Sequence, residues 1–223
     1  MKILMSWSSG KDSAFTLHTL NREHPGAVGS LLTTLNEAHD RVAMHGVRAL
    51  VLKAQADAAG LSLWQVPLPD LCTNEVYEAR MRDACARAVA EGFTHVAFGD
   101  LYLEDIRRYR EERLAGSGLT ALFPLWGIPT RKLAGQMLDA GLKATLSVVD
   151  TRVLPAEFAG RALDEALLAD LPAGVDPCAE NSEFHTCVHD GPMFRHPLVV
   201  TVGERVDRLP FVFRDIALAE GRA

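Results

Sequence analysis

Short apolar stretches alternate with amphipathic stretches through the first two thirds of the chain. Short apolar runs bounded by Gly, Pro and polar residues predict buried strands, and apolar residues three or four positions apart predict helices. The predicted strands cover residues 2–8, 28–35, 61–67 and 94–99, and the predicted helices cover 12–24, 47–59, 74–91 and 103–115. This alternation indicates βαβ units, so we predict an α/β fold with a mainly parallel sheet and helices on both faces. Ligands are then expected at the carboxyl ends of the strands.

The predicted helix over 74–91 has the most regular pattern. Five of its positions recur at helical spacing and predict one buried stripe: Tyr77, Met81, Ala84, Cys85 and Ala88. The next predicted helix, over 103–115, is instead dense in charged residues. That density favours either a solvated helix or one that faces a charged ligand.

The pattern changes after Gly127. Helices are predicted over 130–140 and 156–171, a strand over 142–149, and short strands over 183–189, 198–202 and 210–213. We therefore expect a boundary near residue 127. A larger domain would cover 1–127, and a smaller α+β lobe over 128–223 would pack against it.

The composition, with 48% apolar and 23% charged residues, is that of a folded globular protein. The net charge of −6 counts against a protein that binds nucleic acid mainly through phosphates. No apolar run approaches the roughly 18 residues that cross a bilayer, so no membrane partner is expected. The 4 cysteines contain no C-x-x-C pair, which predicts free thiols in the reducing cytoplasm rather than a zinc site.

The segment Ser8-Ser9-Gly10-Lys11-Asp12-Ser13 joins the first predicted strand to the first predicted helix. A strand, a tight loop and a helix in this order direct several backbone N–H groups and the positive end of the helix at one point. The hydroxyls of Ser8 and Ser13 add donors and Lys11 adds charge, so the segment predicts a phosphate-binding loop. Its spacing is not that of a Walker A loop. An ordinary helix cap is the simpler alternative.

This segment resembles the Ser-Gly-Gly-Lys-Asp-Ser signature of the PP-loop ATP pyrophosphatases. Further stretches, in order along the chain, resemble the diphthine–ammonia ligase family and its bacterial adenine nucleotide alpha hydrolase-like relatives. These stretches are Thr33-Thr34, Met44-His45-Gly46-Val47, Phe98-Gly99-Asp100 through Arg107 and Arg110 to Pro124-Leu125-Trp126, Glu180 to Thr186, and Asp190-Gly191-Pro192. The resemblance covers about residues 1–194.

The resemblance implies a five-stranded parallel-sheet domain of the HUP type that binds ATP, with a smaller C-terminal lobe. It implies an ATP-dependent ligase that activates a carboxylate as an acyl-AMP, releases pyrophosphate and forms an amide with ammonia. In diphthine–ammonia ligase the carboxylate belongs to a modified histidine of translation elongation factor 2. Organisms without diphthamide also carry relatives, so a small-molecule acceptor stays open, and a homodimer is one candidate assembly.

The resemblance and the positions at strand ends suggest a set of nucleotide-binding residues. They are Ser8, Ser9, Gly10, Lys11, Asp12, Ser13, Thr33, Thr34, His45 and Gly99. Lys11 would also neutralise charge that develops on the phosphates. Pyrophosphate release normally needs Mg²⁺, and Asp12 and Asp100 are its candidate ligands. The simpler alternatives are a helix cap for Asp12 and ordinary strand positions for Thr33 and Thr34.

Four polar residues are candidate substrate ligands: Arg107, Arg110, Glu180 and Asn181. Glu183 is a candidate base or ammonia ligand, and His185 is a candidate proton carrier. Strand alternation predicts that Glu183 and His185 share one face. The simpler alternative for this stretch is a surface strand.

Three positions depart from the family pattern. Ser9 stands where the signature has Gly, and Ala179 and Ser182 stand where the family's Gly-Glu-Asn-Gly-Glu motif has glycines. If the backbone at Ser9 needs a positive φ, Ser is strained there. Otherwise its hydroxyl is one more phosphate donor.

Two other functions stay open on the sequence. A nucleotide sensor would need the loop but not Glu180, Glu183 and His185. Transfer-RNA thiolation, which other PP-loop enzymes perform, is disfavoured by the acidic balance and by the missing C-x-x-C pairs.

Overall fold

The computed structural model describes residues 1–42 and 45–219. Met44, which belongs to one of the family-like stretches, and the last four residues of the expected C-terminal lobe lie outside the described residues. None of the described helices is long and apolar enough to cross a membrane.

The N-terminal sheet contains six described strands. They are β1 (Ile3–Ser6), β2 (Val28–Asn36), β3 (Arg41–Val42), β4 (Ser62–Leu68), β5 (His95–Ala97) and β6 (Thr120–Leu122). Five of them run parallel in the order β4-β2-β1-β5-β6, and β3 pairs antiparallel with the end of β2. The expected parallel sheet is therefore confirmed, and its central strand leads directly into residues 8–13, the predicted phosphate-binding segment that we call the phosphate loop.

Helices cover both faces of this sheet. The described helices are α1 (Lys11–Glu23), α2 (Ala49–Ala59), α3 (Asn74–Ala90), α4 (Glu104–Leu114), α5 (Thr130–Asp139) and α6 (Glu165–Asp170). Because successive strand residues point to opposite faces, Ile3 and Met5 belong to one core with α1 and α2, whereas Leu4 belongs to another core with α3. Apolar burial on both faces stabilises the sheet and fixes where β1 ends.

The C-terminal lobe contains an antiparallel sheet. Its strands are β7 (Lys143–Asp150), β8 (Phe184–Asp190), β9 (Val200–Arg208) and β10 (Phe211–Leu218), in the order β8-β7-β10-β9. Strand β8 lies against α1, and β10 lies against α2. A backbone hydrogen bond of 3.0 Å from the Val188 N–H to the Ser9 carbonyl joins β8 to the phosphate loop. The expected smaller α+β lobe is confirmed, and it packs directly on the loop.

The prediction of a single helix over 156–171 is wrong. The chain forms a 3₁₀ turn over Ala156–Phe158, and α6 then begins only at Glu165. Gly160 lies between them at φ +92°, a left-handed conformation that a continuous helix does not allow. Helix α6 has its own start signal, since the Asp164 carboxylate accepts a 2.7 Å hydrogen bond from the Leu167 N–H.

The buried stripe predicted for α3 is only half correct. Ala84 and Ala88 are buried, but Tyr77, Met81 and Cys85 are partly exposed. These three side chains pack at the border of the core and also line a cavity. Sequence periodicity identifies the apolar face of a helix but not whether a neighbouring element covers it.

We predict that Gly99→Ala destabilises the protein, because the added Cβ would lie 3.0 Å from the Asp12 carbonyl carbon and 3.1 Å from the Ser13 nitrogen. Both atoms belong to the backbone of α1 and cannot move aside cheaply. The expected loss is about 1–3 kcal/mol of unfolding free energy, measured by urea titration.

Gly135→Ala is the matched control. Gly135 lies inside α5, and no described atom outside the helix backbone and the neighbouring residues lies within 4 Å of its added Cβ. Alanine should there raise stability by about 0.5–1 kcal/mol. Equal urea midpoints for the two variants would contradict the proposed close contact at Gly99.

Candidate active site

A cavity of about 430 Å³ lies where β1 and β5 end and α1 begins. Three walls come from the N-terminal half: the phosphate loop, residues 98–100 after β5, and α4. The fourth wall comes from residues 179–186 of the C-terminal lobe. We call this cavity the polar chamber. Its place at the carboxyl ends of parallel strands agrees with the sequence-based expectation.

The loop leaves the N-terminus of α1 open to ligands. Gly10 is the N-cap residue and has no side chain with which to cap the helix. The Ser13 hydroxyl donates to the Gly10 carbonyl at 2.9 Å, and the Ser8 and Ser13 hydroxyls lie 3.1 Å apart. These bonds hold the loop in shape, and Ser8 and Ser13 both line the polar chamber. Asp12 therefore does not cap the helix, contrary to the simpler alternative.

Lys11 and Asp12 form an ion pair on the chamber wall. The Lys11 ammonium donates to Asp12 Oδ2 at 2.9 Å and to the Cys178 carbonyl, and the Lys11 side chain is only 3% exposed. Burial opposes the lysine charge, but the attraction and hydrogen bond of Asp12 hold the pKa of Lys11 above its ordinary value. Burial also raises the pKa of Asp12 against the attraction of Lys11. Among the described residues, the buried Asp12 Oδ1 has no hydrogen-bond partner.

Two further carboxylates share the chamber. Glu180 Oε1 accepts a 2.7 Å hydrogen bond from the Leu101 N–H, and burial raises the pKa of Glu180 to about 7. Asp100 pairs with Arg110 at 3.3 Å. Within residues 1–42 and 45–219, no three His, Cys, Asp or Glu side chains are grouped to hold a metal ion by themselves. A cation here would need additional ligands from a bound molecule or water.

Two histidines stand at the side of the chamber. The ring centroids of His45 and His185 lie 4.4 Å apart. Burial, helped by the charge of Lys11, lowers the pKa of His185 to about 4, and burial together with His185 lowers that of His45 well below its usual range. Both rings are therefore neutral at pH 7, and the buried His45 Nδ1 makes no hydrogen bond to the described residues.

A second, more apolar chamber of about 460 Å³ adjoins the first. Thr33 and Thr34 of β2 line it, together with the α3 side chains that were expected in the core. The two chambers share six wall residues: Ser6, Ser8, His45, Phe98, Arg110 and His185. In the described part of the chain, the buried Thr33 Oγ1 has no hydrogen-bond partner. The Thr33 hydroxyl can therefore bond a ligand in the apolar chamber.

Glu183 and Asn181 do not line either chamber. The buried Glu183 carboxylate accepts hydrogen bonds from the backbone N–H groups of Asp176 and Asn181, at 3.1 and 3.0 Å, and from the Asn181 side-chain amide at 3.1 Å. Glu183 thus ties its own loop together.

The expected strand alternation does not hold in this stretch. Strand β8 begins only at Phe184, one residue after Glu183, and its pairing with β7 shifts by one residue between Leu146 and Val148. Phe184, His185 and Thr186 consequently all line the polar chamber, and Glu183 does not share a face with His185.

The two candidate arginines are separated by the structure. Arg110 lines both chambers, with its guanidinium 4.8 Å from the centroid of the Phe98 ring. Arg107 instead bonds Glu111 at 2.9 Å and lies 4.8 Å from the centroid of the Trp126 ring, away from both chambers. Trp126 therefore has a packing role.

The three departures from the family glycines all adopt left-handed backbone conformations. Ser9 has φ +74°, Ala179 has φ +55° and Ser182 has φ +65°. The chain thus keeps the backbone shape that glycine favours and accepts strain instead. The Ser9 hydroxyl lies near Cys187 and the Gln55 amide, so its side chain does not face the chamber.

Sequence reasoning missed the residues that join the two lobes. Tyr102 donates to Asp176 at 2.9 Å and accepts from the Asn181 side chain at 3.2 Å, which links the segment after β5 to the C-terminal lobe. Gln55 is fully buried beneath the phosphate loop. The available signal was the position of Gln55 on the otherwise apolar stripe of α2, which contains Val51, Leu52 and Ala56.

Comparisons with known proteins agree along the length of the chain. Residues 1–120 match the family model described as the diphthamide synthase N-terminal domain, and residues 129–218 match the diphthamide synthase C-terminal domain. The diphthine–ammonia ligase of Schizosaccharomyces pombe is 27% identical over an alignment of 231 positions, which includes 93% of this chain and 37% of that protein. The chain thus spans little more than a third of that relative's length. On the match of both domain models, the chain belongs to the diphthamide synthase family.

Proposed function

We propose that the chain is an ATP-dependent ligase that adenylates a carboxylate and converts it to an amide with ammonia. The observation that carries the proposal is the open N-terminus of α1, which faces a chamber lined by Lys11 and by three carboxylates. Backbone N–H groups at a helix N-terminus bind phosphate. The triphosphate would lie in the polar chamber, and the adenine would lie in the apolar chamber beside Thr33 and Thr34.

Mg²⁺ fits the oxygen donors of the polar chamber. Asp12 Oδ1 is buried and has no partner among the described residues, and Asp100 and Glu180 line the same space. Mg²⁺ prefers such oxygen ligands and completes its shell with phosphates and water. When bound, it would neutralise phosphate charge and so assist the departure of pyrophosphate.

The proposed reaction has two steps. A carboxylate oxygen of the acceptor attacks the α-phosphorus, the bond to the pyrophosphate oxygen breaks, and acyl-AMP forms. Ammonia then attacks the acyl carbon, AMP leaves, and the nitrogen loses one proton. Lys11 and the loop N–H groups stabilise phosphate charge in the first step. We assign the neutral His185 as the acceptor of that proton in the second step, and the neighbouring His45 ring supports this proposal.

Two classes of acceptor carboxylate fit the proposed reaction. The relative from Schizosaccharomyces pombe is named for diphthine, which suggests a carboxylate on modified elongation factor 2 as one acceptor. A small-molecule carboxylate is the other. Arg110 lines both chambers and is the candidate ligand for either, whereas Arg107 and Asn181 lie outside them. All four cysteines are free thiols, which fits our proposal of a cytoplasmic enzyme.

We predict that the protein, incubated with Mg²⁺, ATP, ammonium and candidate acceptors, produces AMP and pyrophosphate. Lys11→Ala should lower this rate by about 10²–10³-fold, because a donor to the phosphates is lost. The exposed Lys132→Ala on α5 should leave it unchanged. Chromatography of the nucleotide products provides the measurement. ADP as product would exclude adenylation, and binding without turnover would favour a nucleotide sensor.

We predict that the Glu180 carboxylate is needed for activity, whereas the Glu183 carboxylate is needed for stability. Glu180→Gln can still accept the Leu101 N–H, so its stability should stay within about 0.5 kcal/mol of wild type while AMP formation falls at least about tenfold. Glu183→Gln places an amide N–H against donors from Asp176 and Asn181, and should lose about 1–3 kcal/mol of stability. Urea unfolding and AMP release, measured on both variants, test this assignment. Equal behaviour of the two variants would contradict it.

A neutral His185 predicts a specific loss of stability in acid. Its pKa is about 4 in the folded protein and near 6.5 in an unfolded chain. As the pH falls from 6.5 to 4, the unfolded chain binds a proton that the folded protein does not, so the free energy of unfolding decreases.

His185→Asn should therefore lose about 2–2.5 kcal/mol less stability than wild type between pH 7 and pH 4.5. The exposed His24→Asn should retain the wild-type dependence. Urea midpoints at both pH values provide the comparison. Parallel curves for wild type and His185→Asn would mean that His185 already carries a proton in the folded state.

A further inference from the structure

We propose that Gln55 is a positioning residue that holds the phosphate loop in its binding conformation. The inference rests on the proposed function, because it concerns the loop that would bind the phosphates of ATP. Gln55 touches neither chamber. It lies on α2, beneath the loop, and is completely buried.

Both polar groups of the Gln55 side chain are used. Oε1 accepts a 3.0 Å hydrogen bond from the Trp7 indole N–H. Nε2 donates to the Val188 carbonyl at 2.6 Å and to the Ser9 carbonyl and hydroxyl at 3.2 and 3.3 Å. The indole can only donate and the carbonyls can only accept, so these partners fix which way the amide faces.

These contacts meet at the strained point of the loop. Ser9 has φ +74°, and a left-handed conformation costs a non-glycine residue free energy unless its surroundings enforce it. Trp7 and Ser9 lie on either side of Ser8, and Val188 belongs to β8 of the C-terminal lobe. One amide group thus bonds Trp7, Ser9 and Val188 at the same time. The next residues, Gly10 and Lys11, begin the helix whose N–H groups face the chamber.

Gln55 could matter because it enforces the left-handed turn at Ser9, or only because it satisfies buried polar groups. The strain at Ser9 allows an experiment to distinguish these two roles. If Gln55 enforces the left-handed turn, its amide should matter less once residue 9 is glycine, which adopts φ > 0 without strain. If Gln55 only satisfies buried groups, its loss should cost the same in both backgrounds. The two sites therefore make a double-mutant cycle.

The experiment measures ATP affinity by calorimetry for wild type, Ser9→Gly, Gln55→Met and the double variant, with thermal melting of each. Methionine retains the volume of glutamine but removes its hydrogen bonds. Gln55→Met should weaken ATP binding about tenfold or more in the Ser9 background, and less than about threefold in the Ser9→Gly background. Gln136→Met, an exposed helical glutamine on α5, should bind ATP as wild type does.

Several outcomes would overturn the proposal. Wild-type ATP affinity in Gln55→Met, or an equal loss in both backgrounds, removes the positioning role while leaving ATP binding itself intact. A wild-type protein that binds no ATP removes the proposed function and this inference together. If Gln55→Met does not fold, Gln55→Asn keeps the amide group but draws it back from Trp7, Ser9 and Val188. That variant should weaken ATP binding about threefold or more, and unchanged affinity would overturn the proposal.

Discussion

The candidate site depends on the hydrogen bonds that strand β8 makes to the phosphate loop. The Val188 N–H donates to the Ser9 carbonyl, and the Lys11 N–H donates to the Thr186 hydroxyl, each at 3.0 Å. The Lys11 ammonium reaches the Cys178 carbonyl of the same lobe. The first N–H groups of a helix have no partner inside the helix, and here one of them bonds the second lobe rather than staying free for a ligand. The phosphate loop is therefore shaped by both lobes, and the N-terminal sheet alone does not define it.

The opposite wall of the polar chamber is also held in a strained conformation by buried hydrogen bonds. Ala179 and Ser182 adopt left-handed conformations, and the buried Glu183 carboxylate gathers the N–H groups of Asp176 and Asn181 around them. Glu180 completes the link by accepting the Leu101 N–H from the N-terminal domain. One buried polar side chain thus bonds each strained segment: Gln55 bonds the phosphate loop, and Glu183 bonds the segment that contains Ala179 and Ser182. Hydrogen bonds of buried groups are costly to break, which is why such walls can hold strain at a site.

Most of the architecture could be predicted from the sequence, because period and turn residues are local signals. The strand–loop–helix at residues 3–23 and the apolar strands beside it predicted the parallel sheet and the position of the loop at its carboxyl edge. Strand β6 has three residues and is too short to show a period. The apolar pattern over 156–171 predicted one helix, but Gly160 interrupts it with a left-handed conformation. The face that Glu183 was expected to share with His185 was predicted wrongly for another reason. A shift in pairing between β7 and β8 is a tertiary feature, and one residue of shift changes which side chains face the chamber.

The charges of the polar chamber bear on what it can accept. Among the described residues that line it, Asp12, Asp100 and Glu180 face two cations, Lys11 and Arg110, and both cations are already paired. A triphosphate entering alone would therefore meet carboxylates as well as donors. Two changes would reduce that repulsion: protonation of Glu180, whose pKa of about 7 makes it accessible near neutral pH, and a divalent cation carried in by the phosphates. Nucleotide and cation would then bind as one unit, with Asp12 exchanging its contact with Lys11 for the metal and leaving Lys11 to the phosphates.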